Sequence, residues 1–461
     1  MAELFGYEIK RKKEAAKGKS FVAPSDEEGT LDIAGGAGFF SQYVNLDKAA
    51  KNDWDLIRKY RTTSEAPECD QAIEDIINES VTADETDLSV KIDLDMVELS
   101  TSIKKKISAE FDEVLRLLEW KHRGHDIFRR WYIDGRLFYH KMVDEKQSRK
   151  GITELRYIDP KFMKKVRVVE KDKGEGAGNG VELVKRVQEF YLYNETGVYP
   201  GVVGASGQGK SAAQGLKVSP DSVAYATSGI FNPTTKQVYG YLHKAIKPVN
   251  QLRMMEDATV IYRISRAPER RIFYIDVGNL PKPKAEAYLK DVMSRYRNKV
   301  VYDGNTGEVK DDRNQMSMLE DFWLPRREGG RGTEITTLPG GQNLGEMEDV
   351  KYFQEKLYKS LNIPISRLQS DSGFNMGRSA EITRDEIKFT KFIQRLRKRF
   401  SILFQDILKT QCVLKGIVTP EDWDTIKERI IYDFNDDNHF FEFKDAELLE
   451  SRINQLNSVS E

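Results

Sequence analysis

The chain has 461 residues, of which 32 % are charged and 39 % hydrophobic, values typical of a soluble globular protein. At about 150 residues per domain this length allows two to four domains, and no run of about 18 apolar residues predicts a membrane span. The 73 basic and 74 acidic residues give a net charge of −1. This balance argues against tight, static binding of duplex DNA and is compatible with a surface past which DNA slides.

The N-terminal part of the chain changes character near residue 50. Residues 1–50 mix Lys and Glu with Gly and Ser, a composition that predicts a mobile arm. Apolar residues recur at helical spacing over Asp53–Ile77 and again over Val97–Arg130, and both stretches are predicted to be helices. Leu88–Asp95 alternates like a strand. Trp131–Val143 holds two aromatic runs around an Asp-Gly pair, which predicts a β-hairpin.

Further strands follow in the next part of the chain. Runs rich in β-branched and aromatic residues predict them at Ile152–Ile158, Lys165–Lys171, Lys185–Tyr193, Ser222–Ala226, Gln237–Tyr241 and Ala258–Arg263. Together with the preceding helices, these strands indicate an α+β domain built on an antiparallel sheet.

One stretch between these strands matches a phosphate-binding loop. GASGQGKS, Gly204–Ser211, fits the pattern G-x-x-x-x-G-K-[ST]. That loop needs a buried strand before it and a helix after it, whose N-terminal amides hold the phosphates. Pro200 and Gly201 interrupt the preceding stretch, and Gly215 and Pro220 leave the following one too short for a stable helix. The context favours a surface loop rich in Gly and Ser over a nucleotide site.

A long insert separates two predicted helices. Pro281 and Pro283 suit the start of the first helix, whose apolar stripe continues to Tyr296. The insert up to Met347 is rich in Gly, Asp and Arg and includes a hairpin-like run over Val300–Asp312. Because long irregular excursions in compact proteins are usually functional, this insert is a candidate interaction region.

The stretch after the insert predicts a helix, a polar loop and a very long helix. Apolar residues lie three or four apart from Met347 to Leu361, and Pro364 ends that helix near Asn362. The loop Ser366–Arg378 contains two glycines. Ser379 is a suitable N-cap for a helix of about 35 residues, far longer than the usual length of about 12. Its apolar stripe consists of Phe389, Ile393, Leu396, Phe400, Leu403 and Ile407.

This order of elements resembles the portal proteins of tailed phages, most closely those of T-even-like phages. The likeness runs from about Trp54 to the C-terminus. Two runs carry it: SRAPERRIFYIDVGNLPKPKAEAYLKDVMSRYRNKVVYD over Ser265–Asp303, and LPGGQNLGEMEDVKYFQEKLYKSLNIPISRL over Leu338–Leu368. The resemblance implies the phage portal fold, with an α/β wing, a two-helix stem, a clip insert, a long wing helix and a helical crown.

The resemblance also implies boundaries for these parts. They are a mobile arm over 1–50, an α+β wing over 51–265, a first stem helix over 266–298, a clip over 299–343, a second stem helix over 344–364, a tunnel loop over 365–379, the long wing helix and its return over 380–440, and the start of a crown over 441–461. Because the crown of such proteins runs further, we expect the C-terminus to be incomplete.

The function implied by the resemblance is structural, without catalytic residues or a cofactor. The protein would form a dodecameric ring at one capsid vertex, initiate prohead assembly, and provide the channel for DNA packaging and ejection. Its partners would be duplex DNA, the large terminase, the major capsid protein and scaffold, and the neck or head-completion proteins. It would be made in the bacterial cytoplasm and reside in the virion.

Three groups of residues are candidates for contacts. The channel loop offers Arg367, Gln369, Ser370, Phe374, Asn375 and Arg378 for DNA. The insert offers Phe322, Trp323, Arg326, Arg327 and Arg331 for the terminase or neck, because clusters of aromatic residues and Arg mark interfaces. The basic run of the long helix offers Lys388, Lys391, Arg395 and Lys398. For that run, DNA phosphate, an acidic neighbouring subunit and a plain solvated face all remain open.

Catalytic and metal-binding patterns are weak throughout. The five histidines are scattered, and Cys69 and Cys412 lie too far apart in sequence to suggest a metal site or a disulfide framework, which favours a reducing compartment. Asp311 and Asp312, and the run NDDN over 435–438, lack the frame of a nuclease or calcium site. Two alternatives to the portal interpretation remain: a packaging ATPase based on GASGQGKS, and a DNA-processing nuclease based on the scattered acids.

Overall fold

The computed structural model describes residues 3–4, 7–8, 29–35, 53–81, 89–173, 182–194, 216–232, 237–266, 270–296, 300–302, 309–311, 322–326, 334–338, 347–367, 379–435, 449 and 452–453. The chain divides into two compact units. The first unit comprises Met1–Ile246 and Leu361–Glu461, and the second unit is Lys247–Ser360. Helices and strands are mixed along the chain, so the predicted combination of the two is confirmed.

The described α-helices are α1 (53–64), α2 (Pro67–Ser80), α3 (Thr101–Leu117), α4 (Trp120–Asp134), α5 (Ile246–Arg266), α6 (Lys282–Tyr296), α7 (Glu348–Leu361), α8 (Ser379–Leu414) and α9 (Pro420–Ile426). Short 3-10 turns occupy Ser148–Lys150, Pro220–Ser222, Tyr241–Lys244, Ile365–Arg367 and Lys427–Arg429. The predicted long helix is confirmed as α8, which has 36 residues. The helix predicted over residues 97–130 is instead two helices, because Glu119 between them adopts φ 50°.

The described strands are β1 (Glu3–Leu4), β2 (Tyr7–Glu8), β3 (Leu31–Gly35), β4 (Val90–Asp93), β5 (Arg136–Val143), β6 (Ile152–Ile158), β7 (Met163–Lys173), β8 (Glu182–Tyr193), β9 (Leu216–Val218), β10 (Val223–Thr227), β11 (Arg270–Asp276), β12 (Val300–Tyr302), β13 (Val309–Asp311), β14 (Phe322–Arg326), β15 (Glu334–Leu338) and β16 (Ile431–Phe434). The strands predicted between residues 152 and 226 are confirmed as β6, β7, β8 and β10.

The first unit contains two larger sheets with mostly antiparallel pairing. One has the order β10-β5-β6 and the other β3-β7-β8-β9. In the second sheet β3 runs parallel to β7, with Leu31 opposite Val166. Residues 31–35, which the sequence places in a mobile arm, therefore form a strand of this sheet. The pair β4–β16 adds an antiparallel ribbon.

The predicted hairpin over Trp131–Val143 is wrong. Trp131 lies in the last turn of α4, and Gly135 ends that helix in the left-handed conformation, with φ 70° and its N–H donating to the Trp131 carbonyl at 2.9 Å. An Asp-Gly pair suits a helix C-terminus as well as a hairpin, because both need a residue with positive φ. Strand β5 follows directly and pairs with β10 and β6.

Three further predictions in this region are corrected. Ala258–Arg263 is part of α5 rather than a strand. The range 266–298, predicted as one stem helix, contains the end of α5, strand β11 and helix α6. At the predicted strand 237–241 the structure has a single bridge between Phe231 and Val238, followed by a 3-10 turn.

The core of the first unit forms along one side of α8. The predicted apolar stripe of this helix, from Phe389 to Ile407, is buried throughout. Phe400 lies at its centre and packs against Trp120, Phe128 and Trp131 with ring centroids 5.0–5.5 Å apart. Aromatic pairs at such distances stabilise a core beyond the area they bury. The long helix is therefore the element on which α2, α3 and α4 pack.

A buried ionic cluster joins α1 to two strands. The Asp53 carboxylate contacts the Arg136 guanidinium, at 3.3 Å, and the Lys164 ammonium, and all three side chains are almost fully buried. Burial alone would raise the pKa of Asp53, but the two neighbouring cations hold this pKa below its usual value of 3.8. Breaking such a cluster from one side leaves an uncompensated charge in the core.

The second unit combines a small sheet with helices. Its sheet has the order β14-β11-β15, with β11 parallel to β14 and antiparallel to β15. Ile275 and Val277 at the end of β11 form a buried cluster with Ala285 of α6. The hairpin-like run predicted around residues 305–307 is confirmed as the antiparallel pair β12–β13. The insert predicted to be irregular thus contains four described strands.

Candidate nucleic-acid and assembly surfaces

The helix before the predicted channel loop ends as the sequence indicates. Helix α7 stops at Leu361, and Asn362 follows in the left-handed conformation with φ 63°. Asn tolerates this conformation better than most residues, and Pro364 prevents the helix from continuing. Of the loop candidates, only Arg367 lies within the described residues; Gln369, Ser370, Phe374, Asn375 and Arg378 lie outside them.

Arg367 is an anchor at the start of the loop. Its guanidinium donates to Glu79 at 2.7 Å and to both carboxylate oxygens of Glu386, at 3.0 and 3.1 Å. It also lies over the Phe389 ring at 4.5 Å. Burial opposes its charge, but the bonds to the two carboxylates raise the pKa of Arg367 above its usual value. The charge of Arg367 is therefore shared with two carboxylates of its own chain, and contact between this residue and DNA stays a prediction.

The basic run of α8 separates into two groups. Arg384, Lys388, Lys391, Arg395 and Lys398 are exposed and recur at spacings of four and three, which places them along one face of the helix. We call these five residues the basic stripe. Arg397 is different, because it is buried and donates to the carbonyls of Ser80, Glu79 and Asn435. Arg397 thus connects α8 to the end of α2 and to the segment after β16.

The insert candidates lie in or beside β14. Phe322 and Trp323 begin this strand, opposite Ile272 and Phe273 of β11. Arg326 ends it, donates to Glu334 at 2.8 Å and lies 5.6 Å from the centre of the Tyr274 ring. Arg327 and Arg331 lie outside the described residues. The charge of Arg326 is therefore paired with Glu334 of β15, across the central strand β11, although the side chain remains partly exposed.

Large apolar side chains are concentrated on the surface of the second unit. Those exposed there are Met254, Val260, Ile261, Tyr262, Leu280, Tyr288, Leu324, Ile335, Met347 and Tyr352. We call this set the apolar surface of the second unit. It includes residues of both α5 and α7, and these helices contact each other where Lys356 donates to Gln251 at 3.3 Å. This number of exposed apolar side chains on one unit makes it a candidate interaction surface. The sequence reading missed those on α5, because it assigned that stretch to a strand.

The segments flanking GASGQGKS do not provide the frame of a nucleotide site. The motif, including Lys210, lies outside the described residues. Strand β8 precedes it, and β9 begins at Leu216 and pairs antiparallel with β8, with Tyr191 opposite Val218. A phosphate-binding loop leads instead into a helix of several turns. The strand five residues after Ser211 is not compatible with that arrangement.

Other candidate chemistry in the described residues is structural. His125 contacts Glu74 at 3.2 Å, and the Tyr60 hydroxyl bonds to the His243 ring at 3.0 Å. Burial raises the pKa of both cysteine thiols to about 12. No group of three or more potential metal ligands occurs among the described residues, and no helix among them is long and apolar enough to cross a membrane.

Comparison of the sequence with known proteins identifies its family. The family model described as Bacteriophage T4-like portal protein (Gp20) matches residues 53–461. This chain belongs to the T4-like portal protein family. It is 44 % identical over 413 residues to the portal protein of Vibrio phage KVP40, which covers 88 % of this chain and 79 % of that protein. It is 38 % identical over 440 residues to the portal protein of Salmonella phage ViI, covering 94 % and 78 %.

A solved structure is a more distant neighbour. It is a chain from the neck of a native GTA particle computed with C12 symmetry, at 12 % identity and a TM-score of 0.42, covering 78 % of this chain and 81 % of the other. Family membership rests on the sequence comparisons alone. The predicted role as a structural component of a phage portal is confirmed, and it locates the protein in the virion. Neither the ATPase nor the nuclease alternative is favoured.

Proposed function

We propose that this portal protein forms a dodecameric ring at one capsid vertex and that duplex DNA passes through the axis of the ring during packaging and ejection. The observation that carries this proposal is the apolar surface of the second unit. A single subunit leaves these side chains partly in water, and covering each would recover a fraction of the about 1.5–3 kcal/mol that full burial of an exposed apolar side chain provides. Head-to-tail contacts that close into a ring would cover them in every subunit.

The second unit supplies the stem and the clip in this proposal. The chain enters the unit through α5 and leaves it through α7, and these two helices touch. We assign them to the stem. The sheet β14-β11-β15 with α6, and the pair β12–β13, form the clip between them. This assignment replaces the first stem helix expected over residues 266–298.

The clip is the surface proposed for the packaging motor and later the neck proteins. Phe322, Trp323, Arg326, Arg327 and Arg331 are its proposed anchors, since aromatic residues and Arg dominate interface energetics. Replacing Phe322 and Trp323 with Ser is expected to spare ring assembly and to weaken binding of the large terminase in a pull-down. Collapse of the ring would instead show that these two side chains pack inside the subunit.

The remaining partners follow from the same role. The major capsid protein and scaffold would contact the ring in the prohead, where the ring would initiate assembly, and the loop over residues 366–378 would face DNA in the channel. Because Arg367 is held by Glu79 and Glu386, contact with the phosphate backbone would come from the residues that follow it. Light contact of this kind permits sliding, whereas a dense basic cluster would retain the DNA.

Two double variants test the ring. Each replaces two exposed apolar side chains with Ser, one variant in the second unit and the other in the first. We expect Ile261→Ser with Tyr352→Ser, on the apolar surface of the second unit, to shift the protein from rings to monomers at micromolar concentration in light scattering. Met96→Ser with Ile431→Ser removes two similarly exposed apolar side chains from the first unit and should leave the rings intact. A wild-type protein that is a stable monomer at this concentration would contradict the proposal.

A further inference from the structure

The basic stripe of α8 has a regular geometry. Its members, Arg384, Lys388, Lys391, Arg395 and Lys398, follow one another at alternating steps of four and three residues. At 1.5 Å of rise per residue, the stripe extends over about 21 Å along the helix. The stripe therefore presents a row of positive charges on a single face of the helix.

Most of this charge is available to a partner. Lys388 bonds to Asp385 at 2.9 Å, and the Arg395 guanidinium lies 5.9 Å from the centre of the Phe392 ring. Within the described part of the chain, no carboxylate pairs with Arg384, Lys391 or Lys398. An exposed pair one helical turn apart contributes only about 0.3–0.5 kcal/mol, so even Lys388 can exchange its partner at little cost.

The helix holds these cations at fixed spacing. On its other side Phe389, Ile393 and Leu396 are buried in the core of the first unit. Arg397 donates hydrogen bonds to the carbonyls at the end of α2, and Glu386 accepts hydrogen bonds from Arg367. A charged surface on such a rigid element loses little conformational entropy when it binds, which favours a partner with a matching regular charge.

Three acidic residues of α2 are already paired within their own subunit, so they are poor candidates to bind the stripe of a second copy of the chain. On α2, Asp70 and Glu74 are engaged by Arg129, and Glu79 is engaged by Arg367. Each carboxylate therefore already has a cation from its own chain. The phosphates of duplex DNA are different, because they are neutralised only by exchangeable counterions. They provide one negative charge for about every 1.7 Å of helix axis.

We propose that the basic stripe binds the phosphate backbone of duplex DNA, through residues that are not part of the channel loop. The inference rests on the proposed portal role only in that DNA is present where the protein works; the residues concerned are different. The net charge of −1 is a property of the whole chain, whereas the stripe is a local concentration of cations. Contacts with phosphate carry no base information, so binding at this site is independent of sequence.

The test measures binding of assembled wild-type and variant protein to a short blunt duplex of random sequence over a range of salt concentrations. The variant Lys391→Gln with Lys398→Gln removes two stripe cations for which the described residues provide no acidic partner. The control Lys409→Gln with Lys427→Gln removes two partly exposed cations that lie beside Asp424. We expect the stripe variant to bind more weakly and to lower the slope of log K against log salt by about 0.9 for each lost phosphate contact.

The outcomes separate this proposal from the proposed function. Weaker binding with a reduced salt slope, with the control unchanged and Lys391→Arg with Lys398→Arg like wild type, supports the stripe as a DNA surface. A chain lacking Gln369–Gly377 should keep this binding, because the channel loop is not part of the site. Unchanged binding in the stripe variant overturns the proposal while leaving the portal role intact. Loss of the ring in that variant also overturns it and identifies the stripe as a contact between subunits.

Discussion

Gly135 and Gly416 offer a matched test of how closely α4 approaches the rest of the first unit. Both glycines end a helical segment, with φ 70° and 68°. A Cβ atom added at Gly135 would lie 2.6 Å from the Gly240 Cα and 2.9 Å from the Tyr239 carbonyl oxygen. At Gly416 the same atom would meet nothing within 4 Å. The two positions therefore share their backbone strain and differ in the space around them.

The expected energies follow from these two terms. An L-residue in the left-handed conformation costs about 1–2 kcal/mol, and replacing Gly with Ala returns about 0.4–1 kcal/mol by restricting the unfolded chain. Gly416→Ala should therefore destabilise the fold by about 1 kcal/mol. Gly135→Ala should cost a further ~1–3 kcal/mol, because backbone atoms of Gly240 must move to admit the methyl group.

The measurement is urea unfolding of both variants, followed by circular dichroism and compared through the midpoint and the slope m. A larger loss for Gly135→Ala, at an unchanged slope, is the expected result. Equal losses in the two variants would refute the reasoning, because the close approach of α4 to Gly240 would then contribute nothing. Equal losses would also reopen the hairpin interpretation of this segment, in which Gly135 would need only its positive φ.

Three further predictions concern the ionic cluster, the phosphate-binding motif and the loop. Asp53→Asn should destabilise the fold by about 3–5 kcal/mol at neutral pH, because it leaves Lys164 and Arg136 buried without a counter-charge. Since the folded-state pKa of Asp53 lies below 3.8, the wild-type advantage should shrink as the pH falls through that lower value, measured by urea unfolding at several pH values. Lys210→Ala should leave DNA packaging at the wild-type level, and loss of packaging with intact rings would revive the ATPase alternative. Deleting Gln369–Gly377 should spare the ring and impair packaging or retention of DNA, whereas normal packaging would indicate a plain linker.

The sequence predicts best where one physical pattern dominates. The stripe of α8 from Phe389 to Ile407 is buried on one side only, so its period of 3.6 is intact and both the helix and its core face follow from it. The end of α7 is also predictable, because Asn362 and Pro364 act locally. The role of Arg367 is not predictable in this way, since its partner Glu79 lies 288 residues away in the chain.

The hairpin error at Gly135 arises from a pattern that serves two structures. Asp-Gly between aromatic runs suits a two-residue turn, but the same glycine can end a helix. The aromatic residues before it are buried by packing on Phe400 and Tyr241, which lie far away in sequence. Tertiary packing therefore decides between the two interpretations, and local propensity does not.

The error on α5 has a different origin and bears on assembly. A helix with one buried face keeps polar residues on the other, and this contrast makes its period visible. On α5, Val249 and Leu252 are buried, yet Met254, Ile261 and Tyr262 are exposed, so apolar residues occur on both sides of the helix. Such a helix loses its amphipathic pattern and resembles a strand where β-branched residues cluster. Within one subunit the second apolar side stays exposed, and in the proposed ring a neighbouring subunit would cover it. The stretch that the sequence assigns wrongly therefore lies in α5. We expect both the fold of the subunit and the contacts of the ring to depend on this helix.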